Sequence, residues 1–292
     1  MKVCKKEIDC IIKKKKNNFN KINFSFEVFF SSKINFEKNF LFFINKLSML
    51  NTNFISIVHS SNDRNTKNMY NFINIIKNYT NIELAPYMTC INFKNKELKK
   101  ISIKYKKKKI KHIIALCGDS IYKNTKFHFN AINLIVLLKE ISNFYISVLA
   151  YPEVHPEAKS SQYDLINLKN KLDSGADQAI TQFFFDIENF LRFRDRCSGI
   201  GIKKKIIPGI LPIQDFNQVY KFCLISNIYV PKWLKNLYLR SNNLYQKNDL
   251  IGFKIAVNMI KELYKEGIRD FHIYTLNKLD FSYSICNSIN LD

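Results

Sequence analysis

Glu27 stands in Ser25–Phe26–Glu27–Val28–Phe29–Phe30, a carboxylate enclosed by aromatic residues. Loss of hydration there raises a carboxyl pKa, and an acid that holds its proton near neutral pH can serve as a general acid. The same residue also suits a solvated cavity mouth or a Lys partner. Gln182 interrupts the apolar run Ile180–Phe185. An amide left unpaired there costs about 1–3 kcal/mol. It must therefore tie neighbouring strands together or offer its donors and acceptors to a ligand. Gly118–Asp119 follows another apolar run. Glycine admits close backbone approach by a ligand and Asp can accept from a ring N–H, although a turn or helix cap uses the same pair. His155 lies between Pro152 and Pro156, in a rigid loop. No second His or Cys stands at metal-ligand spacing, so no metal is assigned. Cys197 and Cys223 read as packing residues on helix faces.

The elements that position these groups are legible as alternation. Short apolar, β-branched or aromatic runs occur at Phe24–Phe30, Phe54–His59, Glu83–Ile91, His112–Gly118, Tyr145–Tyr151, Ala179–Phe185, Lys205–Ile213 and Asp270–Leu276. Segments with helical spacing separate them. One carries Phe40, Phe43, Ile44, Leu47 and Leu50. Others carry Ile132, Ile135, Val136 and Lys139; Leu165, Leu168, Lys169 and Leu172; and Ile255, Met259, Ile260 and Leu263. Strand–helix alternation of this kind builds a parallel sheet. About eight strands close it into a TIM (β/α)8 barrel, for which about 250 residues are typical. A doubly wound sheet is the rival, but no Gly-x-Gly-x-x-Gly turn follows any strand. In a barrel the active site lies at the carboxyl ends of the strands. Glu27 lies inside the first run, Thr89 in the third and Gln182 within the sixth, while Gly118, Asp119, Tyr151, Glu153, His155, Tyr274, Thr275, Asn277 and Lys278 fall at or just past such ends.

The chain has 292 residues and a formal charge of +22. Such a charge suits a nucleic-acid partner. The basic residues are nevertheless almost all Lys, with arginine only at positions 64, 192, 194, 196, 240 and 269. Lys, Asn, Ile and Phe share A/T-rich codons and are enriched together. Selection for phosphate contacts favours the bidentate Arg fork instead. The reading is therefore codon drift, with no nucleic-acid partner. The seven cysteines form no Cys-x-x-Cys pair. That pattern suits a reducing compartment better than a disulfide framework or a zinc site. No run of about 18 apolar residues marks a membrane span. The expectation is a soluble cytoplasmic protein with a basic extension over 1–20 and a single catalytic barrel over 21–292.

Five strings carry a resemblance that spacing alone does not supply: Ala150–Ala158, Ala179–Asp186, Leu191–Cys197, Ile207–Pro212 and Phe271–Asn277. Together with Glu27, Asp119 and Gln182, they make the chain similar to bacterial-type methylenetetrahydrofolate reductases from about Phe24 onward. The resemblance implies a (β/α)8 barrel with non-covalent FAD. NADH, or NADPH in some members, reduces the flavin and leaves. 5,10-Methylenetetrahydrofolate then binds the same face and becomes 5-methyltetrahydrofolate, the methyl donor for methionine synthesis, in a ping-pong cycle. The resemblance also implies a homo-oligomer, the common state of bacterial members.

Position by position, the resemblance makes Glu27 the general acid that helps open the folate imidazolidine ring. Asp119 falls beside flavin and pterin, and Gln182 where both folate and nicotinamide are touched. Gln218, Phe222 and Lys278 fall on the substrate side. His59, Tyr87, Cys117, Gly118, Asp119, Ala131, Tyr151, His155, Ala158, Asp164, Asn167, Asn170 and Lys171 fall where the family holds FAD. Several of these depart from the family's usual strings. Val58–His59 stands where Thr-Tyr is usual, and Tyr87 replaces a His. Cys117 and Asn170 replace arginines, and Lys278 replaces an Arg. The resemblance thus implies an active enzyme with loosened flavin affinity. The competing readings are a non-catalytic barrel, a basic RNA- or polyanion-binding protein, and a different flavin barrel of the proline dehydrogenase type.

Overall fold

The computed structural model describes residues 22–30, 38–59, 66–90, 93–117, 130–240 and 245–290. The strands are β1 (Asn23–Phe30), β2 (Thr52–His59), β3 (Glu83–Thr89), β4 (His112–Leu116), β5 (Tyr145–Ala150), β6 (Gln178–Phe183), β7 (Lys205–Ile210) and β8 (Asp270–Tyr274). All pair in parallel, each with its successor, and β8 closes on β1. The helices between them are α1 (Lys38–Leu47), α2 (Thr66–Tyr79), α3 (Asn95–Lys107), α4 (Ala131–Ile141), α5 (Ser161–Asp173) and α6 (Ile187–Gly199). Three helices separate β7 from β8: α7 (Phe216–Ile225), α8 (Lys232–Arg240) and α9 (Tyr245–Lys265). α10 (Leu279–Asn290) follows β8. The expected TIM barrel is the fold. None of the described helices is long and apolar enough to cross a membrane.

The helix starts follow from local chemistry. Asp186, Asp215, Ser160 and Asn130 each accept a backbone N–H of the first turn of α6, α7, α5 and α4. These caps satisfy donors that helix geometry leaves unpaired. The expected apolar stripes hold in part. Ile44 and Leu47 of α1, the three leucines of α5 and Met259, Ile260 and Leu263 of α9 are buried. On α4 the buried face is Leu134, Ile135, Leu137 and Leu138, while Val136 points to solvent.

Strand residues alternate between two cores, as the two-residue period dictates. One set, including Phe24, Phe26, Ile55, Val148 and Phe271, packs outward under the helices. The other fills the barrel, where Phe54, Ala85, Tyr87, Ile114, Ile180 and Ile207 form one cluster. Beside that cluster, toward the amino ends of the strands, lies a polar layer. His272 Nδ1 and Ser25 Oγ are 2.8 Å apart, and His112 Nε2 and Ser147 Oγ are 2.7 Å apart. Gln178 Nε2 donates to Ser147 Oγ at 2.8 Å, and Tyr145 donates to Gln178 Oε1 at 3.0 Å. The Phe54 ring lies against both imidazoles, with centroids 4.5 Å from His112 and 5.8 Å from His272. Burial pushes His112 down to about 4, against the pull of Asp177, and His272 down to about 3, with His112 adding to the effect. Both histidines are therefore neutral at physiological pH.

Every strand except β1 and β2 stops short of the apolar run that announces it. β6 ends at Phe183, not Phe185, and β7 at Ile210, not Ile213. The residues beyond are apolar because they pack at the mouth, not because they pair. β6 also carries an extra residue relative to β7, where Ile180 faces Ile207 and Phe183 faces Gly209. Such a bulge leaves backbone groups without ladder partners. Side chains take them up here. Tyr274 donates its hydroxyl to the Thr181 carbonyl at 2.8 Å, and Gly209 N donates to Thr181 Oγ1 at 2.9 Å. A Cβ at Gly209 would lie 2.3 Å from the Thr181 carbonyl oxygen and 2.5 Å from the Tyr274 ring. Gly209→Ala is therefore expected to destabilise the barrel by about 1–3 kcal/mol through overpacking. Urea unfolding monitored by circular dichroism checks this; an unchanged midpoint would mean that the ring and carbonyl move aside freely.

Candidate active site

Glu27 sits in β1, with Ser56 of β2 and Tyr274 of β8 as its register neighbours. By alternation it points into the barrel, and only 5% of it is exposed. Its Oε2 accepts a 2.8 Å hydrogen bond from the Tyr87 hydroxyl, which reaches in from β3. Tyr87 is itself buried in the interior cluster. The Ser56 hydroxyl donates to the Phe26 carbonyl at 3.3 Å. Burial pushes Glu27 up to about 7, although the Tyr87 hydrogen bond pulls the other way. Burial and the nearby Glu27 charge likewise hold the Tyr87 and Tyr274 phenols well above their ordinary value. The outcome is a carboxyl group about half protonated at neutral pH, walled by phenols that stay neutral. A group in that state can give a proton and recover it within one turnover.

The backbone around the acid is clamped from β8. Thr275 Oγ1 donates to the Glu27 carbonyl oxygen. The Asn277 side chain accepts from Phe29 N at 2.8 Å and donates to Phe29 O at 3.0 Å, as an added strand would. Leu276 and Asn277 take φ of +46° and +60° to make this turn. That left-handed conformation is uncommon outside glycine, though Asn tolerates it.

Gln182 lies in the β6 bulge, half-buried. Its Oε1 accepts from the neighbouring Phe183 N at 3.1 Å. It does not tie two strands together; the bulge lets the amide turn back on its own backbone. On the β5 side, Tyr151 and His155 stack edge to face, 4.5 Å between centroids, in the loop that leads past Ala158 to α5. Asp164 pins that loop by accepting from His155 N at 2.9 Å. Lys171 reaches from α5 to the Leu149 carbonyl at 2.9 Å. Burial lowers its pKa, while Asp164 and Cys117 act to raise it. Asn167 and Asn170 are exposed on the same helix. Cys117 is exposed at the end of β4, and its carbonyl accepts from Cys90 Sγ at 3.4 Å. Ala131 opens α4, half-buried.

Gln218 is exposed in the first turn of α7, and Phe222 is half-buried one turn on, packed against the core. Lys278 is exposed just past β8. Gly118 and Asp119 lie outside the described residues, as does the side chain of His59, whose backbone ends β2. The structure thus brings Glu27, Tyr87 and the β8 turn into direct contact. It sets the Tyr151–Lys171 group along the β5 side of the mouth. Ser56 is a residue that the sequence did not single out; only the β1–β2 register places it beside the acid.

A family model for methylenetetrahydrofolate reductase matches residues 12–290. The chain belongs to the methylenetetrahydrofolate reductase family. The 5,10-methylenetetrahydrofolate reductase of Buchnera aphidicola subsp. Baizongia pistaciae is 48% identical over 91% of this chain and 90% of its own. That of Escherichia coli K12 is 44% identical over 92% of this chain and 91% of its own. Among solved structures, an uncharacterized Clostridium thermocellum protein that binds two copies of 5-methyl-5,6,7,8-tetrahydrofolic acid shares the fold. Its TM-score is 0.61 at 14% identity, covering 99% of this chain and 98% of that one.

Proposed function

We propose that the protein reduces 5,10-methylenetetrahydrofolate to 5-methyltetrahydrofolate, with NADH or NADPH as hydride source and non-covalent FAD as carrier. The observation that carries the reading is Glu27, a buried carboxyl pushed up to about 7 at the carboxyl end of the barrel. FAD, when bound, supplies a two-electron carrier between nicotinamide and folate. The residues on the β5 side fit such a group. Lys171 offers a desolvated ammonium, whose attraction for a diphosphate is strengthened by low local polarity. Asn167 and Asn170 present side-chain amides that make no hydrogen bond among the described residues. Tyr151, His155 and Ala158 give a fixed loop that Asp164 holds in place.

In this reading Glu27 donates its proton to a nitrogen of the folate imidazolidine ring. The ring opens to the iminium that accepts hydride. Phe222 stacks on the substrate, and Gln218, Gln182 and Lys278 contact its polar parts. Asp119 orients the pterin. The excess of Lys draws the anionic glutamate tail toward the surface, less so at high salt. Because both substrates use one face, the cycle is ping-pong. Arginines absent at Cys117 and Asn170, and the absence of threonine at Val58, loosen FAD.

The test is spectroscopic. Purified protein supplied with FAD should show a flavin band near about 450 nm that bleaches on anaerobic NADH addition and returns with methylenetetrahydrofolate. A protein that takes up no FAD, or a reduced flavin that methylenetetrahydrofolate fails to reoxidise, would reject the reading.

A further inference from the structure

The Tyr87 phenol gives its hydrogen bond to one oxygen of Glu27 and leaves the other unengaged among the described residues. A neutral phenol has one proton and one main acceptor site. The Tyr87 hydroxyl is the donor in its 2.8 Å contact with Glu27 Oε2, so the phenol proton is directed at that oxygen. Both side chains are buried, and both are held by strands whose register fixes them. A donor aimed at Oε2 favours the proton on Oε1, because a carboxyl's carbonyl oxygen is a better acceptor than its hydroxyl oxygen.

We infer that Tyr87 is a positioning residue for the acid: its hydrogen bond keeps Oε2 as an acceptor and so confines the transferable proton to Oε1. The inference rests on the reading of Glu27 as the general acid. Tyr87 is then not simply a wall of the flavin pocket. It selects which oxygen carries the proton, and it steadies the carboxylate that remains after the proton has left. Among the described residues, the titratable groups acting with Glu27 are Tyr87 from β3 and Tyr274 from β8, with Tyr151 acting in turn on Tyr274. None of these phenols changes charge near neutrality, so the ionisation of the acid is a single step.

The test compares wild type, Tyr87→Phe and Glu27→Gln by infrared difference titration of the purified protein. Wild type should show a neutral-carboxyl band that Glu27→Gln lacks. In Tyr87→Phe the band should move to higher frequency. The proton affinity of Glu27 should rise roughly tenfold, because a hydrogen bond to the ionised form is lost. In anaerobic stopped flow, Tyr87→Phe should slow reoxidation by methylenetetrahydrofolate about tenfold to a hundredfold more than it changes flavin reduction by NADH, the scale of a misplaced reacting group. The pH midpoint of that second step should move upward with the infrared midpoint. An unchanged band and midpoint in Tyr87→Phe would overturn the inference, because a packing role moves neither. If Tyr87→Phe does not fold, wild type decides: the tyrosine C–O band must shift in step with Glu27 ionisation and lose that step in Glu27→Gln, and independent titration overturns the inference. If wild type never passes electrons to methylenetetrahydrofolate, the proposed function fails, and the infrared bands still decide whether Tyr87 governs the proton on Glu27.

Discussion

Glu27→Gln is expected to slow methylenetetrahydrofolate reduction by about a thousandfold, within the range typical for removing a general acid. Flavin reduction by NADH needs no such proton and should continue at close to the wild-type rate. The amide keeps the shape of the side chain and can still accept from Tyr87, so the loss isolates the proton. Single-turnover measurement of each half-reaction reads the effect, and equal slowing of both would remove Glu27 from the acid's role. Stability should move the opposite way. Because folding raises the Glu27 pKa from 4.5 to about 7, the folded state binds the proton more tightly than the unfolded chain does. That contribution is fully present below pH 4.5 and is lost as pH rises through 7. The glutamine variant has no charge to bury. It should therefore be more stable than wild type at pH 8 by about 3 kcal/mol, and nearly equal to it below pH 4.5. The acid is kept at a cost to the fold.

The polar layer beneath the site should make the barrel sensitive to acid. Folding lowers His112 to about 4 and His272 to about 3 from an ordinary 6.5. The unfolded chain then binds protons that the folded chain refuses. Stability is complete above pH 6.5 and falls as pH drops toward 4 and then 3. The loss is on the order of several kcal/mol, a large fraction of a typical domain's stability. Glu27 works against this slope between pH 7 and 4.5, but one carboxyl cannot offset two imidazoles. The check is urea unfolding from pH 7.5 to 4. A double variant, His112→Gln with His272→Asn, should flatten the slope. Gln carries an amide near the Nε2 that meets Ser147, and Asn carries one near the Nδ1 that meets Ser25. A slope that survives in the double variant would assign acid lability elsewhere.

The barrel is legible in the sequence because each strand is an apolar run and each run is followed by a helical stripe. The strand ends are less so. Phe184 and Phe185 look like β6 continuing, but they are buried at the mouth beyond the last ladder pair. Glu27 is visible as a carboxylate among aromatics, and its raised pKa follows from that setting. The partner it finds is Tyr87, not a Lys; that residue lies 60 positions away and touches it only because β3 follows β2 around the barrel. Local pattern carries no such information. For Gln182 the bulge supplies a neighbour for the amide oxygen, Phe183 N, which no local pattern announces. The histidine layer is hidden too, since His112 and His272 each open or interrupt an apolar run and only closure of the barrel brings them to the same phenylalanine.

The clamp from β8 has a consequence for the order of assembly. Thr275 and Asn277 hold the strand that bears the acid across a separation of 248 residues. Loop closure on that scale comes late, after nearer contacts have formed. On a ribosome, the acid emerges 248 residues before its clamp. A nascent chain stalled before Thr275 can carry most of the barrel's strands and still lack the contacts that fix Glu27. The fixed position of Glu27 in this architecture is a property of the completed seam between β1 and β8.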